Sequence, residues 1–177
     1  TILFPGETFS YNKALGERTA EKGYGEAGVY VGGRTENQLG GGVCQVASAI
    51  YYSVLKADLK VTERHCHTYA VDFSDLGLDA FVDGKNKDLC FRNNTGEVID
   101  LVVTYQAGEV KVQLLGVNNL EYTVELQVEV SQQIDPQTVL QQMTEDNVKG
   151  YKDGDIIQEG IIGYKVQVMV NAKYADS

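Results

Sequence analysis

The residues best suited to chemistry are two histidines and three cysteines, and all five fall between Cys44 and Cys90. Cys44 follows three consecutive glycines at positions 40–42 and opens a segment whose pattern predicts a helix. A thiol in the first turn of a helix faces unpaired backbone N–H groups and the positive end of the helix dipole, and both favour the thiolate. We therefore interpret Cys44 as a candidate nucleophile.

A cysteine nucleophile requires an imidazole base, and that base requires a partner that orients it. His65 and His67 lie on a segment that predicts a strand, and either can be the base. Asp79, in the next predicted strand, is the candidate orienting residue, and amides near Gly42–Cys44 are candidate oxyanion donors. The order cysteine, histidine, carboxylate is that of papain-like hydrolases, although the sequence has no papain-type motif.

Three further residues are predicted to bind substrate. Gly42 and Gln45 flank Cys44, and the glycine run lets a substrate approach the backbone. Arg64 precedes the histidines and can bind a substrate carboxylate or pair with its neighbour Glu63. The alternative interpretation of this window is structural: Cys44 is a small apolar helix residue, and the histidines are ordinary strand residues.

A zinc site is the second chemical alternative, because His65 and His67 would share a strand face and Cys44 would complete three ligands. The sequence has no Cys-x-x-Cys or His-Glu-x-x-His spacing, so we predict no metal and no cofactor. The glycine run also lacks the Lys-Ser/Thr ending of a phosphate-binding loop, which argues against a nucleotide. Three cysteines cannot all pair; Cys66 and Cys90 are predicted scaffold residues, and a disulfide between them is left open.

Composition places these residues in a folded, acidic chain. Its 177 residues include 25 acidic and 15 basic side chains, which give a net charge of −10. This balance argues against binding of nucleic acid, which needs clustered Lys and Arg. No apolar run approaches the ~20 residues that span a bilayer. Because the sequence starts at Thr1 without Met, we expect a piece of a longer protein, with any membrane anchor N-terminal to it.

The elements that must position the site are predicted from periodicity. The clearest is a helix over 43–57, where apolar residues recur at helical spacing. A period-two pattern over 59–73 predicts a strand with both histidines on one face. A short helix is predicted over 12–20, and tight turns in place of regular structure over 23–42. The remaining predictions are strands over 80–82 and 89–92, a hairpin of 98–106 with 109–115, a strand over 122–130, a helix from Asp135-Pro136 to 143, and a strand over 164–170.

Together these elements predict an α+β fold. A Gly-rich N-terminal region and a central helix pack on a mostly antiparallel sheet, and a small β-rich module follows. We predict that residues 1–117 form the α+β domain and residues 118–177 the β-rich module, which has a marginal size for independent folding.

Motifs covering residues 4–115 resemble the VanW-like domain. They are Phe4–Asn12, Gly40–Ser48, Glu63–Thr68, Gly77–Ala80 and Phe91–Thr95. The last third is similar to a G5-type module at Lys149–Gly150 and over 158–166. This chain departs from the family at Cys66, where the family usually has proline, and at Thr68, where it usually has serine.

The resemblance implies an extracellular, cell-wall-associated protein on the surface of a Gram-positive bacterium. The family takes its name from an accessory gene of vancomycin-resistance clusters. The residues on its motif positions are Cys44, Gln45, His65, His67 and Asp79. The leading hypothesis is a Cys/His-dependent hydrolase or transpeptidase that acts on peptidoglycan peptides through a thioester to Cys44. The alternative is a non-catalytic accessory protein that binds wall glycan or peptide. Under both, the expected partner is peptidoglycan or another wall component.

Overall fold

The computed structural model describes residues 1–31, 34–140, 150, 152, 154–156 and 159–175. Within these residues the chain forms ten strands and two α-helices, and every strand pairing is antiparallel. This mixed, mostly antiparallel architecture is compatible with the predicted α+β class. The strands are β1 (Ile2–Leu3), β2 (Thr8–Ser10), β3 (Glu26–Val31), β4 (Arg34–Leu39), β5 (Lys60–Glu63), β6 (Cys90–Arg92), β7 (Ile99–Gln106), β8 (Glu109–Gly116), β9 (Tyr122–Ile134) and β10 (Gly163–Tyr174). The helices are α1 (Tyr11–Leu15) and α2 (Val43–Lys56), with a 3₁₀ turn at Ala20–Lys22.

The described strands form four small sheets. Two have three strands, in the orders β1–β7–β8 and β2–β6–β5, and two are hairpins, β3–β4 and β9–β10. One apolar core joins both three-stranded sheets to α2. Leu3 of β1, Phe91 of β6 and Leu101 of β7 all belong to it. The long helix therefore occupies the centre of the domain, where it can position a site.

α2 forms where the sequence predicts it and ends one residue earlier, at Lys56. Its apolar residues recur at helical spacing because one face is buried. The buried apolar residues are Val43, Ala47, Ile50, Tyr51 and Val54. Each large side chain buried in this way contributes about 1.5–3 kcal/mol of hydrophobic free energy. Gly42, in the left-handed conformation (φ 88°), is the N-cap and supplies no side-chain acceptor to the first turn.

The strand predicted over 59–73 is wrong for most of its length. β5 covers only Lys60–Glu63, and residues 64–89 contain no helix or strand, so the strand predicted over 80–82 is also absent. Hydrogen bonds outside any strand pairing hold the loop over 64–89 in place. The Phe81 N–H donates to the His65 carbonyl (2.8 Å), and the Asp79 carboxylate accepts from the His67 N–H (2.7 Å). Local bonds from side chain to backbone compete with strand pairing, and they prevail here.

Three other expectations are corrected. The stretch over 23–42, predicted as turns, contains the hairpin β3–β4, because most of its glycines lie outside the two strands. The helix predicted over 12–20 shortens to α1, which ends at Leu15 with Gly16 (φ 64°) as its C-cap. The helix predicted from Asp135-Pro136 to 143 is absent over 135–140, and its remainder lies outside the described residues.

The C-terminal strands form where the sequence predicts them and are longer. β9 and β10 make one hairpin whose base contacts the end of α2. The Lys56 ammonium donates to the Val124 carbonyl, and the Tyr122 hydroxyl donates to Asp58 Oδ2 (2.5 Å). The domain boundary at residue 117 stays a prediction. Among the described residues, no helix is both long and apolar enough to cross a membrane.

Candidate active site

Cys44 lies in the first turn of α2, directly after the Gly42 N-cap. Its thiol is half-buried, with Sγ 3.5 Å from the carbonyl oxygen of Val82. In the described part of the chain, the backbone N–H groups of Cys44 and Gln45 meet no acceptor. These N–H groups and the helix dipole give the thiol a positive electrostatic environment.

His67 is the histidine whose pKa this thiol influences. Asp79 Oδ2 is 2.6 Å from the ring Nδ1 and also accepts from the His67 backbone N–H. Phe73 and Phe81 pack edge-on against the imidazole, with centroid separations of 5.7 and 5.2 Å. Because Asp79 engages Nδ1, Nε2 is the ring nitrogen left to interact with Cys44.

The surroundings favour a charged imidazole. Burial lowers the pKa of His67, but hydrogen bonds to Asp79 and Cys44, with their negative charge, outweigh burial and raise the pKa from 6.5 to about 9. For Asp79, burial raises the carboxyl pKa, yet its bonds to His67 and the charge of Arg64 bring it below 3.8. Carboxylate and imidazolium are therefore both ionised near neutral pH.

Arg64 holds the Asp79 carboxylate on its other side. Its Nη2 donates to Asp79 Oδ1 (2.7 Å) and to the Gly77 carbonyl (3.1 Å), and its Nε donates to the Asp79 carbonyl (2.7 Å). The guanidinium also lies 5.1 Å from the Tyr51 ring centroid. Arg64 thus pairs with Asp79 and not with Glu63, and its hydrogen bonds position the Asp79 carboxylate.

Ser48 connects this loop to the helix. Its buried hydroxyl donates to the Cys44 carbonyl (2.8 Å) and accepts from the Ala80 N–H (2.9 Å). One side chain therefore fixes the residue after Asp79 to the turn of α2 that carries the thiol. This contact sets the spacing between the cysteine and the carboxylate.

The second histidine does not join the group. His65 Nε2 lies 3.0 Å from Glu63 Oε1, and both side chains are more than a third exposed. Gly42 and Gln45, the other predicted substrate-binding residues, are exposed beside Cys44. The structure thus brings together Cys44, His67, Asp79 and Arg64, and leaves His65 outside.

All three cysteines are free thiols. Cys66 is exposed, and Cys90 is half-buried beside Asp88. Burial and the carboxylates of Asp88 and Glu63 raise the pKa of the Cys90 thiol to about 12. Among the described residues, no group of three or more His, Cys, Asp and Glu side chains is placed to hold a metal ion, so the zinc alternative receives no geometric support.

Two further residues near the thiol could not be predicted from the sequence. The buried Tyr11 hydroxyl donates to the Val43 carbonyl (3.2 Å), and burial raises the pKa of this phenol against the opposing charge of Arg18. Arg18 Nη1 lies 3.5 Å from the Val82 carbonyl that faces Cys44, and its buried Nε has no partner in the described part of the chain. Tyr11 lies within the motif Phe4–Asn12 and Arg18 in none of the motifs, and no spacing in the sequence indicates that either residue lies near Cys44.

The described residues form a mixed fold of mostly antiparallel sheets, compatible with the α+β class, in which a paired histidine and aspartate lie near the cysteine at the start of the long helix. The chain belongs to the VanW-like protein family, whose model, described as "VanW like protein", matches residues 1–115. The "Uncharacterized protein YoaR" of Bacillus subtilis is 39% identical over 98 residues, covering 55% of this chain and 32% of the relative. The "Vancomycin B-type resistance protein VanW" of Enterococcus faecalis is 27% identical over 108 residues, covering 58% of this chain and 39% of the relative.

The chain therefore spans about a third of the length of the curated relatives it matches. The family match does not extend to the C-terminal third, where the G5-type module stays a prediction. No solved structure matches the chain significantly.

Proposed function

We propose that this chain carries a cysteine-dependent acyl-transfer site that cleaves or exchanges an amide bond in a cell-wall peptide. One observation carries the proposal: His67 Nδ1 lies 2.6 Å from Asp79 Oδ2, and the same imidazole is near enough to Cys44 for that thiol to raise its pKa. A nucleophile, a base and an orienting carboxylate placed close together are the arrangement that activates a cysteine.

The reaction begins from a Cys44 thiolate and a His67 imidazolium. The thiolate attacks the substrate carbonyl, forming the S–C bond and a tetrahedral oxyanion. The imidazolium then donates its Nε2 proton to the amide nitrogen, the C–N bond breaks, and an amine and a thioester result. Water or a second amine attacks the thioester, His67 takes the proton of that nucleophile, and the Cys44 thiolate leaves.

The start of α2 supports this sequence of steps. The N–H groups of Cys44 and Gln45 carry no acceptor among the described residues, so they are the donors available to the developing oxyanion. The absence of a side-chain cap at Gly42 keeps that position open to substrate. Arg64 and Ser48 are positioning residues, since they act through Asp79 and the loop that carries it.

The substrate class and the location rest on the relatives. One bears the name of a vancomycin B-type resistance protein, and the resemblance to the VanW-like family implies association with the cell wall. We therefore extend the proposal to an extracellular protein at a bacterial cell surface, with peptidoglycan peptide as substrate. A non-catalytic wall-binding protein is the outcome that the following experiment would favour if Cys44 proves unreactive.

The three free thiols allow an internal comparison. Iodoacetamide at pH 6, followed by peptide mapping, should modify Cys44 at least about ten-fold faster than the exposed Cys66, because a thiolate is the reactive form. Cys90 should react most slowly, since its raised pKa keeps it protonated. Equal rates at Cys44 and Cys66 would contradict an activated nucleophile.

Turnover is tested with peptidoglycan fragments and mass spectrometry. The wild type should release or exchange an amine-bearing fragment, and Cys44→Ala should not. Cys66→Ala is the matched control, because it removes a thiol that lies outside the site and should retain the activity. Identical product profiles for wild type and Cys44→Ala would contradict the proposed reaction.

A further inference from the structure

A groove of about 760 Å³ lies beside the candidate active site. It runs between one face of α2, the loop over 72–78 and the start of β8. Gln45 and Ser48 line it, and they are the first and fourth residues after Cys44. Phe73, whose ring packs edge-on against His67, lines it from the loop. A substrate held at Cys44 can therefore extend into this groove.

The groove combines apolar walls with carboxylates. Its apolar surface comes from Tyr52, Phe73, Leu78, Val110 and Val112, and its charged side chains are Asp72, Asp75 and Glu109. All three carboxylates are exposed, and in the described part of the chain none of them makes an ion pair. Among the described residues that line the groove there is no Lys, Arg or His.

We propose that this groove binds a basic side chain of the substrate peptide, with its aliphatic stem on the apolar walls and its ammonium group at Asp72, Asp75 and Glu109. This inference rests on the proposed function, because it names the substrate class of the same site. A lysine-type side chain matches both parts of the surface, since it carries a methylene chain and a terminal cation. An anionic substrate segment would meet three like charges and, among the described lining residues, no cation, so the groove selects against it.

Two cations near the candidate active site are paired with groups other than the groove carboxylates. The guanidinium of Arg64 donates its hydrogen bonds to Asp79 and to the Gly77 carbonyl. The imidazolium of His67 is paired with Asp79, and Phe73, which lines the groove, packs edge-on against it. The free negative charge in the groove therefore remains available to a ligand.

The test uses the Cys44→Ala protein, so that binding is measured without turnover. Two probes differ at one side chain: N-acetyl-Ala-Lys-Ala-amide, and the same peptide with its lysine Nε acetylated, which removes the positive charge. Titrations followed by NMR should show the charged peptide binding about ten-fold more tightly, the combined effect of several exposed charge pairs. The shifted resonances should include those of Tyr52, Phe73 and Val112, which line the groove.

A matched pair of triple variants assigns the effect to the groove. Asp72→Asn, Asp75→Asn and Glu109→Gln together should abolish the preference for the charged peptide. Glu121→Gln, Glu129→Gln and Asp135→Asn change the net charge equally at exposed positions outside the groove and should retain it. If the groove triple variant does not fold by circular dichroism, the three single variants replace it, each expected to weaken the preference about two-fold.

Equal affinity for both peptides, or a preference that survives the groove substitutions, would overturn the inference. A preferred acetylated peptide would identify a neutral ligand and overturn it as well. This failure is distinct from that of the proposed function, because the alkylation rate of Cys44 does not depend on the peptide titrations. If Cys44 is reactive but the protein binds both peptides equally, the proposed reaction stands and only the proposed basic side chain of the substrate is overturned.

Discussion

Asp79 links three parts of the site at the scale of a single residue. Its Oδ2 accepts from both the ring and the backbone of His67, and its Oδ1 accepts from Arg64. The carboxylate is buried, so each bond lies in a medium where charge pairs act more strongly than in water. The same residue therefore sets the charge of the imidazole and fixes the loop that carries it.

Asp79→Asn should change the titration of His67 in a defined direction. In the wild type the ring keeps its proton until about pH 9, and without the carboxylate its pKa should fall toward 6.5. An asparagine amide that donates to Nδ1 would also hold the wrong tautomer, so alkylation of Cys44 near neutral pH should slow at least ten-fold, on the order of effects seen when an orienting carboxylate is lost. NMR of the ring protons measures the first effect, and peptide mapping measures the second.

The chain supplies its own control for this measurement. His65 is the only other histidine, and its ring contacts Glu63 and not Asp79. Glu63→Gln removes the carboxylate beside the His65 ring and should leave the pKa of His67 unchanged. A His67 titration that stays near pH 9 in Asp79→Asn would show that another group holds the proton.

At the scale of elements, periodic segments are predictable and the site loop is not. The helix at Val43–Lys56 and the hairpin of β7 with β8 follow from apolar spacing and a turn signal in the sequence. The alternation over 59–73 predicts a strand by the same logic, yet only β5 forms. Asp79, Arg64 and Ser48 hold the rest through bonds to backbone groups distant in sequence, and such bonds have no period.

This difference also explains the outcome for the candidate site. The position of Cys44 at a helix start could be predicted, because the glycine run and the apolar pattern define that start. The choice between His65 and His67 could not be made, because it depends on where the irregular loop turns. A strand would have placed both rings on one face, whereas the loop directs His65 to Glu63 and His67 to Asp79.

The hairpin β3–β4 and the start of α2 meet at Gly41. A Cβ on Gly41 would lie 2.4 Å from the Ala27 Cβ and 2.8 Å from the Ala27 carbonyl carbon, distances that side chains do not tolerate. Gly41→Ala should therefore push the hairpin away from the helix and lower the free energy of unfolding by about 1–3 kcal/mol. Urea unfolding measures the stability, and the alkylation rate of Cys44 reports whether the first turn of α2 has moved.

Gly25→Ala is the matched substitution for this experiment. A Cβ at Gly25 meets nothing within 4 Å, and the residue does not need a positive φ. Its effect on the free energy of unfolding should stay within about 0.5 kcal/mol. Equal unfolding curves for the two alanine variants would show that the hairpin accommodates the Gly41 substitution without loss of stability, and would contradict tight packing of Ala27 against the start of α2.

At the scale of the whole molecule, the β9–β10 hairpin lies outside the family match yet contacts the domain that contains the site. Val124 of β9 is buried near the end of α2. Val166 and Val168 of β10 pack against Gly77, where an added Cβ would lie within 3.0 Å of both valine side chains. The Gly77 carbonyl in turn accepts from Arg64, so the hairpin supports the loop that holds Asp79.

A chain ending at residue 117 should fold but be less stable than the full chain. The apolar core cluster lies entirely within residues 3–114, so the truncated chain keeps it. Loss of the packing of Val124 and Val168 should lower the free energy of unfolding by about 2–4 kcal/mol. Thermal unfolding followed by circular dichroism measures this change, and alkylation of Cys44 should remain faster than that of Cys66. Val168→Ala in the full chain should reproduce part of the loss. A truncated chain that does not fold would instead make residues 1–177 one cooperative unit, and the boundary at 117 would be wrong.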